Sequence, residues 1–288
     1  MRVTLQGLTL NFLRNLNAGL ERLSRLQEQL ATGKRVQRPS DDPPNLPAVL
    51  VMRDAVNAAG QYARNLQDTK TLLDAGQRAL QDAVQVIQRL RELAIQGANG
   101  TLAPSDMQAL AREVEALRGE LVALGNTQVA GKYIFAGTLT TTAPFNGAGN
   151  YLGNQTPLRR EVDRGIPVEA TVPGDQVFPQ VFGAAQALQE ALEAGDHDAV
   201  RATLSGLDAA LDHLLSAQAE LGARASRVET IQARLEEFQV QLKELLSVRE
   251  DADLAEVVMN LRLQENAYQA ALAAGARLIQ PSLVDFLR

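Results

Sequence analysis

The sequence predicts a mainly α fold: an elongated antiparallel helical rod with coiled-coil-like pairing. A small β-rich module is inserted between the rod halves, and the two terminal helices pair with each other. Three observations carry this. Met52, Ala59, Leu66, Leu73, Leu80, Ile87 and Ala94 recur every seven residues. A second heptad row, Leu221, Val228, Leu235 and Leu242, stands in the C-terminal third, with Ile231, Phe238 and Leu245 as its companion row. Short β-prone runs fill the stretch between. Heptads sustained over about six repeats specify a long helix packed along one seam. At ~1.5 Å per residue such a helix spans roughly 80 Å, longer than a compact domain of this mass.

The elements follow in order. Leu5, Leu8, Phe12, Leu16, Leu20, Leu23 and Leu30 form one amphipathic stripe that ends near Thr32. Gly33 is suited to the left-handed conformation that closes a helix. The stretch "ATGKRVQRPSDDPPNL", residues 31–46, then separates two periodic segments. Asp41 and Asp42 read as caps of the following helix, because carboxylates favour its positive end and Pro43-Pro44 suit a first turn. In that helix Val49, Val56, Ala63 and Val84 fill the second seam position, which is polar at Lys70, Gln77 and Arg91. It stops at "GANG", residues 97–100, and Ser105 with Gln108 reads as a capping box for the next helix. Met107, Leu110, Val114, Leu117, Leu121 and Leu124 give that helix its stripe, folded back as an antiparallel hairpin. From Gly131 the texture turns to "KYIFAG", "LRREV" and "IPVEATV", with a tight turn at Asp163-Arg164-Gly165. Helical texture returns at Gly183, and Gly195-Asp196 ends one helix and caps another. "SVREDAD" breaks the last rod helix, with Asp251 read as a cap. The stripe of Leu254, Val258, Leu261, Tyr268, Leu272 and Ile279 runs to Pro281. The expected organisation is 1–40 and 251–288 as a terminal-helix domain, 41–130 and 181–250 as the rod, and 131–180 as the β-rich module.

Composition agrees with long packed helices. The chain has 288 residues, 45% hydrophobic but only 4% aromatic, and no cysteine or tryptophan. Compact enzymes of this size bury more large rings. Zero cysteine excludes disulfides and thiolate metal sites. The net charge of −6 argues against nucleic acid as a partner. No apolar run is long enough for membrane insertion. The first residues lack the apolar core and cleavage site of a cleavable secretory signal.

A search for chemistry returns no catalytic, cofactor or metal site. Gly33-Lys34 lacks the upstream glycine and following Ser/Thr of a phosphate loop. Asp41-Asp42 could in principle pair as acid and base, but capping is the simpler reading. Glu250, Asp251 and Asp253 resemble a fragment of a calcium loop without its glycine or twelfth-position carboxylate. His197 and His213 are the only histidines and read as surface or helix-end residues.

The motifs themselves resemble a known family. "ATGKRVQRPSDDP" is similar to the T-G-(K/L)-R-(I/V)…S-D-D-P segment after the first helix of flagellins and flagellar hook-associated proteins. "REDADLAEVVMNLRLQENAYQAAL" resembles the E-D-A-D segment opening their last helix. "GANGTLAPSDMQALAREVEALRGEL", "GKYIFAGTLTTTAPF" and the ending "RLIQPSLVDFLR" resemble segments of the hook–filament junction proteins, the hook-associated protein 3 group of the flagellin superfamily. The resemblance covers nearly the whole chain, although only about fifty residues separate the rod halves, so any outer domain is reduced to the β-rich module.

The resemblance implies a structural, non-enzymatic role without cofactors. Subunits would form a ring between hook-associated protein 1 and the first flagellin. They would be held by a flagellar export chaperone in the cytoplasm, exported through the type III channel and located outside the cell. A minor flagellin that forms filaments is the alternative. On this reading 31–46 is a joint, and Lys34, Arg35 and Arg38 contact neighbouring subunits together with the two terminal stripes. Both ends are expected to fold on assembly, and Leu283, Phe286 and Leu287 of the tail are expected to insert into adjacent subunits.

Overall fold

The computed structural model describes residues 5–38 and 40–279. Among them the chain is mainly α, with six helices and two small antiparallel hairpins. In order these are α1 (Leu5–Thr32), α2 (Leu46–Gly97), α3 (Pro104–Gly125), β1 (Gln128–Val129), β2 (Lys132–Tyr133), β3 (Arg159–Asp163), β4 (Ile166–Glu169), α4 (Phe178–Ala194), α5 (His197–Glu250) and α6 (Leu254–Ile279). The chain divides into two compact units. One runs from Ala58 to Gln239; the other gathers residues through Asn57 with those from Val240 onward.

In the central unit the heptad row of α2 is core: Leu66, Leu73, Leu80, Ile87 and Ala94 are fully buried. Its companion row is not the one expected. Val49 is buried, but Val56, Ala63 and Val84 are only half-buried, and the buried partners are Thr69, Gly76, Ala83, Leu90 and Gly97, three residues after each first-row position from Leu66 onward. Small side chains here let α5 come close: a Cβ on Gly76 would lie 3.2 Å from Leu221 Cδ1. Ion pairs from Lys70 to Glu229 and from Arg91 to Asp208, both 2.7 Å, set α5 antiparallel to α2.

The matching row on α5 is Val200, Leu207, Leu214, Leu221, Val228 and Leu235, all buried. The expected companion row fails. Phe238 and Leu245 are 49% and 53% exposed, and Ile231 is half-buried. The heptad spacing of these large residues is real, but it marks an outward face of the helix.

α3 packs antiparallel on α4, tied by Arg118 Nη1 to Gln189 Oε1 at 3.0 Å. The expected capping box at Ser105 is replaced by another device. The N-cap is Ala103 without a side-chain bond, and Pro104 occupies the first turn, where its missing N–H costs nothing.

The β-rich stretch belongs to the central unit. β1 and β2 join through Ala130 (φ 49°) and Gly131 (φ 76°), a two-residue turn of the twist hairpins favour. β3 and β4 pair with an irregularity between Glu161 and Asp163. Phe135 and Phe145 pack edge-on to Phe178 of α4 with ring centroids 5.0 and 5.4 Å apart, and Phe145 meets Phe182 at 5.0 Å. The Asn126 side-chain amide bonds both backbone groups of Phe145, each at 2.9 Å. The few aromatic residues of the chain are thus concentrated where irregular backbone must be fixed to a helix.

Candidate functional site

The terminal unit brings both ends of the chain together. α1 and α6 form an antiparallel pair with glycine at its close approaches. A Cβ on Gly275 would stand 2.1 Å from the ring of Phe12, and one on Gly19 would stand 3.5 Å from Gln264 and Tyr268. Phe12, Leu16, Leu23, Leu261 and Tyr268 are half-buried, whereas Leu20, Leu254, Val258 and Leu272 remain exposed. The side chains of Leu5, Leu8 and Ile279, and the whole of Leu283, Phe286 and Leu287, lie outside the described residues.

The joint after α1 is built by backbone. Gly33 takes φ 70° and its N–H bonds Gln29 O at 2.8 Å. The chain then lies beside the end of α5. Ala252 N–H donates to Gly33 O at 2.9 Å, and Arg35 N–H donates to Glu250 O at 2.7 Å. Val36, Val49 and Val257 are buried around this crossing.

Its charged centre is Glu250, whose side chain is 1% exposed. Both Lys34 and Arg53 pair with its carboxylate. The hydrogen bond from Arg53, followed by that from Lys34, holds Glu250 below the ordinary glutamate range against the opposing effect of burial. The same bond raises Arg53 above its usual value. Arg35 donates to Arg249 O at 2.9 Å and stands 3.6 Å from Asp42, while Arg38 pairs with Glu28 at 3.1 Å. The three basic residues of the joint therefore have partners within the chain.

The capping assignments at the joint need correction. α2 begins at Leu46 and has no acidic residue in its first turn. Asp41 faces backwards, accepting the N–H of Arg38 at 2.8 Å and of Gln37 at 3.1 Å, and those two bonds lower its pKa. Asp42 takes the side-chain amide of Asn45 at 2.9 Å. Both carboxylates close the loop; neither caps the helix. Asp251 bonds the hydroxyl of Ser247, and the cap of α6 is Asp253, which accepts from Ala255 N–H at 2.9 Å. Glu250, Asp251 and Asp253 thus do three separate structural jobs. Sequence reasoning missed Arg53 altogether and gave Glu250 no role. The available signal was Glu250 itself, the first residue of the E-D-A-D segment; nothing local points to Arg53.

The two ends that meet here are also the parts that match known proteins. Residues 3–140 match the bacterial flagellin N-terminal helical region and residues 204–287 the bacterial flagellin C-terminal helical region. The chain belongs to the flagellin family. Within that family it is 30% identical to flagellar hook-associated protein 3 of Salmonella typhimurium and 29% identical to that of Escherichia coli. Each alignment covers 86% of this chain and 87% of the relative. The solved structure of FlgL from Bacillus cereus shares the fold, with a TM-score of 0.62 at 24% identity over 68% of this chain and 99% of that one. This flagellin-family chain is accordingly a structural flagellar component of the hook-associated protein 3 group.

Proposed function

We propose that this chain forms the junction ring between the hook, ending in hook-associated protein 1, and the first flagellin of the filament. One observation carries the reading beyond family membership. Of the twenty large apolar side chains exposed among the described residues, fourteen lie in the terminal unit, the smaller of the two. Monomeric soluble proteins rarely leave that much apolar surface uncovered, and its concentration marks an interaction surface. The residues expected in assembly contacts belong here: Leu20, Leu254, Val258 and Leu272 are open.

Export through the flagellar type III channel, with a cytoplasmic chaperone covering the apolar ends beforehand, completes the proposal. The competing role is that of a minor flagellin. Purified chain added to filament seeds separates them: the junction role predicts no elongation, and long filaments of this chain alone would overturn it.

A further inference from the structure

Asparagine followed by glycine occurs twice in the chain, at Asn99-Gly100 and at Asn146-Gly147. Asparagine is among the thermolabile residues, because the backbone nitrogen that follows it can attack its side-chain amide. Glycine leaves that nitrogen unshielded, since it carries no Cβ. The two pairs stand in opposite settings.

Asn146 is held. Its Oδ1 accepts the N–H of Ala148 at 3.0 Å and of Asn150 at 2.9 Å. Its own N–H reaches Asn150 O at 3.1 Å, and its carbonyl takes the Gly149 N–H at 2.9 Å. Turning the amide toward Gly147 N would break the bonds to Oδ1 in a loop already closed by the Phe145–Tyr151 bridge.

Asn99 is free to turn. It lies with Gly100 in the exposed turn between α2 and α3. The side-chain bonds that reach this turn go to the carbonyls just before it, from His197 Nδ1 to Gly97 O at 2.8 Å and from Arg201 Nη2 to Ala98 O at 3.3 Å. Among the described residues none holds the Asn99 amide, and the Gly100 N–H donates to no backbone carbonyl. A Cβ built on Gly100 would meet nothing within 4 Å, so solvent has open access to this residue.

We propose that Asn99 is a self-modification site whose reactant is the chain's own Gly100 nitrogen. That nitrogen gives its proton to solvent and bonds to Asn99 Cγ. The Cγ–Nδ2 bond breaks, and Nδ2 takes up a proton and leaves as ammonia. Water then opens the resulting cyclic imide at either carbonyl. One product is aspartate at position 99. The other is an isoaspartyl link, in which the main chain runs through Cβ and Cγ. The step consumes only water, and the lost ammonia is not recovered, so conversion accumulates with the age of the subunit. Both products put a carboxylate one residue from the carbonyl that receives Arg201, which already pairs with Asp198 at 2.8 Å. The isoaspartyl link also takes out of the main chain the carbonyl that accepts the Leu102 N–H at 3.3 Å. The modification therefore acts on the turn that ties the end of α2 to α3 and to the start of α5.

Peptide mapping of the intact purified chain, kept warm at mildly alkaline pH and sampled over time, tests this. Trypsin releases residues 92–112, in which Asn99 is the only asparagine, and residues 133–159, which hold Asn146. Mass spectra should show amide turning to acid in 92–112 while Asn146 keeps its amide, and isoaspartyl methyltransferase should label the first peptide alone. In urea, where the bonds to Asn146 are gone, both sites should convert. Gly100→Ala suits the fold, since the space there is open and no left-handed backbone is required. It should leave melting unchanged and slow conversion about tenfold, equivalent to a barrier rise of ~1.4 kcal/mol. Equal conversion at Asn146 in the folded chain overturns the proposal. So does an amide at Asn99 that survives in the folded chain for as long as both sites take to convert in urea, or a Gly100→Ala variant that converts at the wild-type rate.

Discussion

Arg53 and Glu250, 197 residues apart in the chain, meet through an Nε–H to Oε2 hydrogen bond of 3.2 Å. The receiving carboxylate is shut off from solvent. With Lys34 on the same carboxylate, this bond fastens the start of α2 and the joint loop to the end of α5. Breaking a buried pair costs ~3–5 kcal/mol, less where the cations keep access to water as Lys34 and Arg53 do, so Glu250→Gln should cost the terminal unit about 2 kcal/mol. Thermal unfolding of the intact chain, followed by a probe in the terminal unit, checks this.

The pH dependence has a definite sign. Glu250 is held below its ordinary value in the folded chain. Its contribution is therefore complete above the ordinary glutamate pKa of about 4.3 and is lost as pH falls through the lower folded value. Wild-type stability of this unit should drop on acidification over that window. Glu250→Gln should remove that part of the drop; an identical acid profile in the variant would contradict the assignment.

The two faces of α5 make a paired prediction. Leu214 is fully buried and Phe238 is 49% exposed. Leu214→Ala should cost ~2–5 kcal/mol. Phe238→Ala should change stability by less than about 0.5 kcal/mol, as for other surface sites. Melting of the two variants side by side settles the register of the helix.

Much of the fold was legible because heptad rows repeat large side chains, and the unbroken row of Leu66, Leu73, Leu80 and Ile87 is core. The second row was misplaced because its true members include Thr69, Gly76 and Gly97, which carry no hydrophobic signal; their value is their small size. Phe238 failed for the converse reason, since a large apolar residue at heptad spacing marks either a seam or a surface awaiting a partner. The joint was legible as a boundary but not in its wiring. Helix caps depend on an offset of one or two residues, and the cap of α6 is Asp253, two positions after Asp251. Pairing between Glu250 and Arg53 is a tertiary fact that local pattern does not contain.

Asp253→Ala should weaken α6 by ~0.5–2 kcal/mol through loss of its cap, while Asp251→Ala leaves that helix end intact. Helical content by circular dichroism and amide exchange in 254–260 distinguish the two.

Gly275→Ala places a methyl group where the ring of Phe12 now lies, with a contact of 2.1 Å to be relieved. It should pry α1 from α6 and expose both to protease. Phe12→Ala in the same chain should restore room for the pair, although not its full stability. Equal protease resistance in Gly275→Ala alone would show that the helices are not packed at this point.

Tyr151 offers a separate probe of the central unit. Burial, reinforced by the charge of Asp175, pushes its hydroxyl up to about 12. The stability it lends is complete below the ordinary tyrosine pKa of ~10 and disappears as pH rises toward the folded value. Tyr151→Phe should remove that alkaline loss, measurable by unfolding at successive pH values.

The central claim is that this chain joins hook to filament, and electron microscopy of a strain lacking it tests that most directly. The account predicts complete hooks without filaments and flagellin released into the medium. Filaments of ordinary form on those hooks would contradict it.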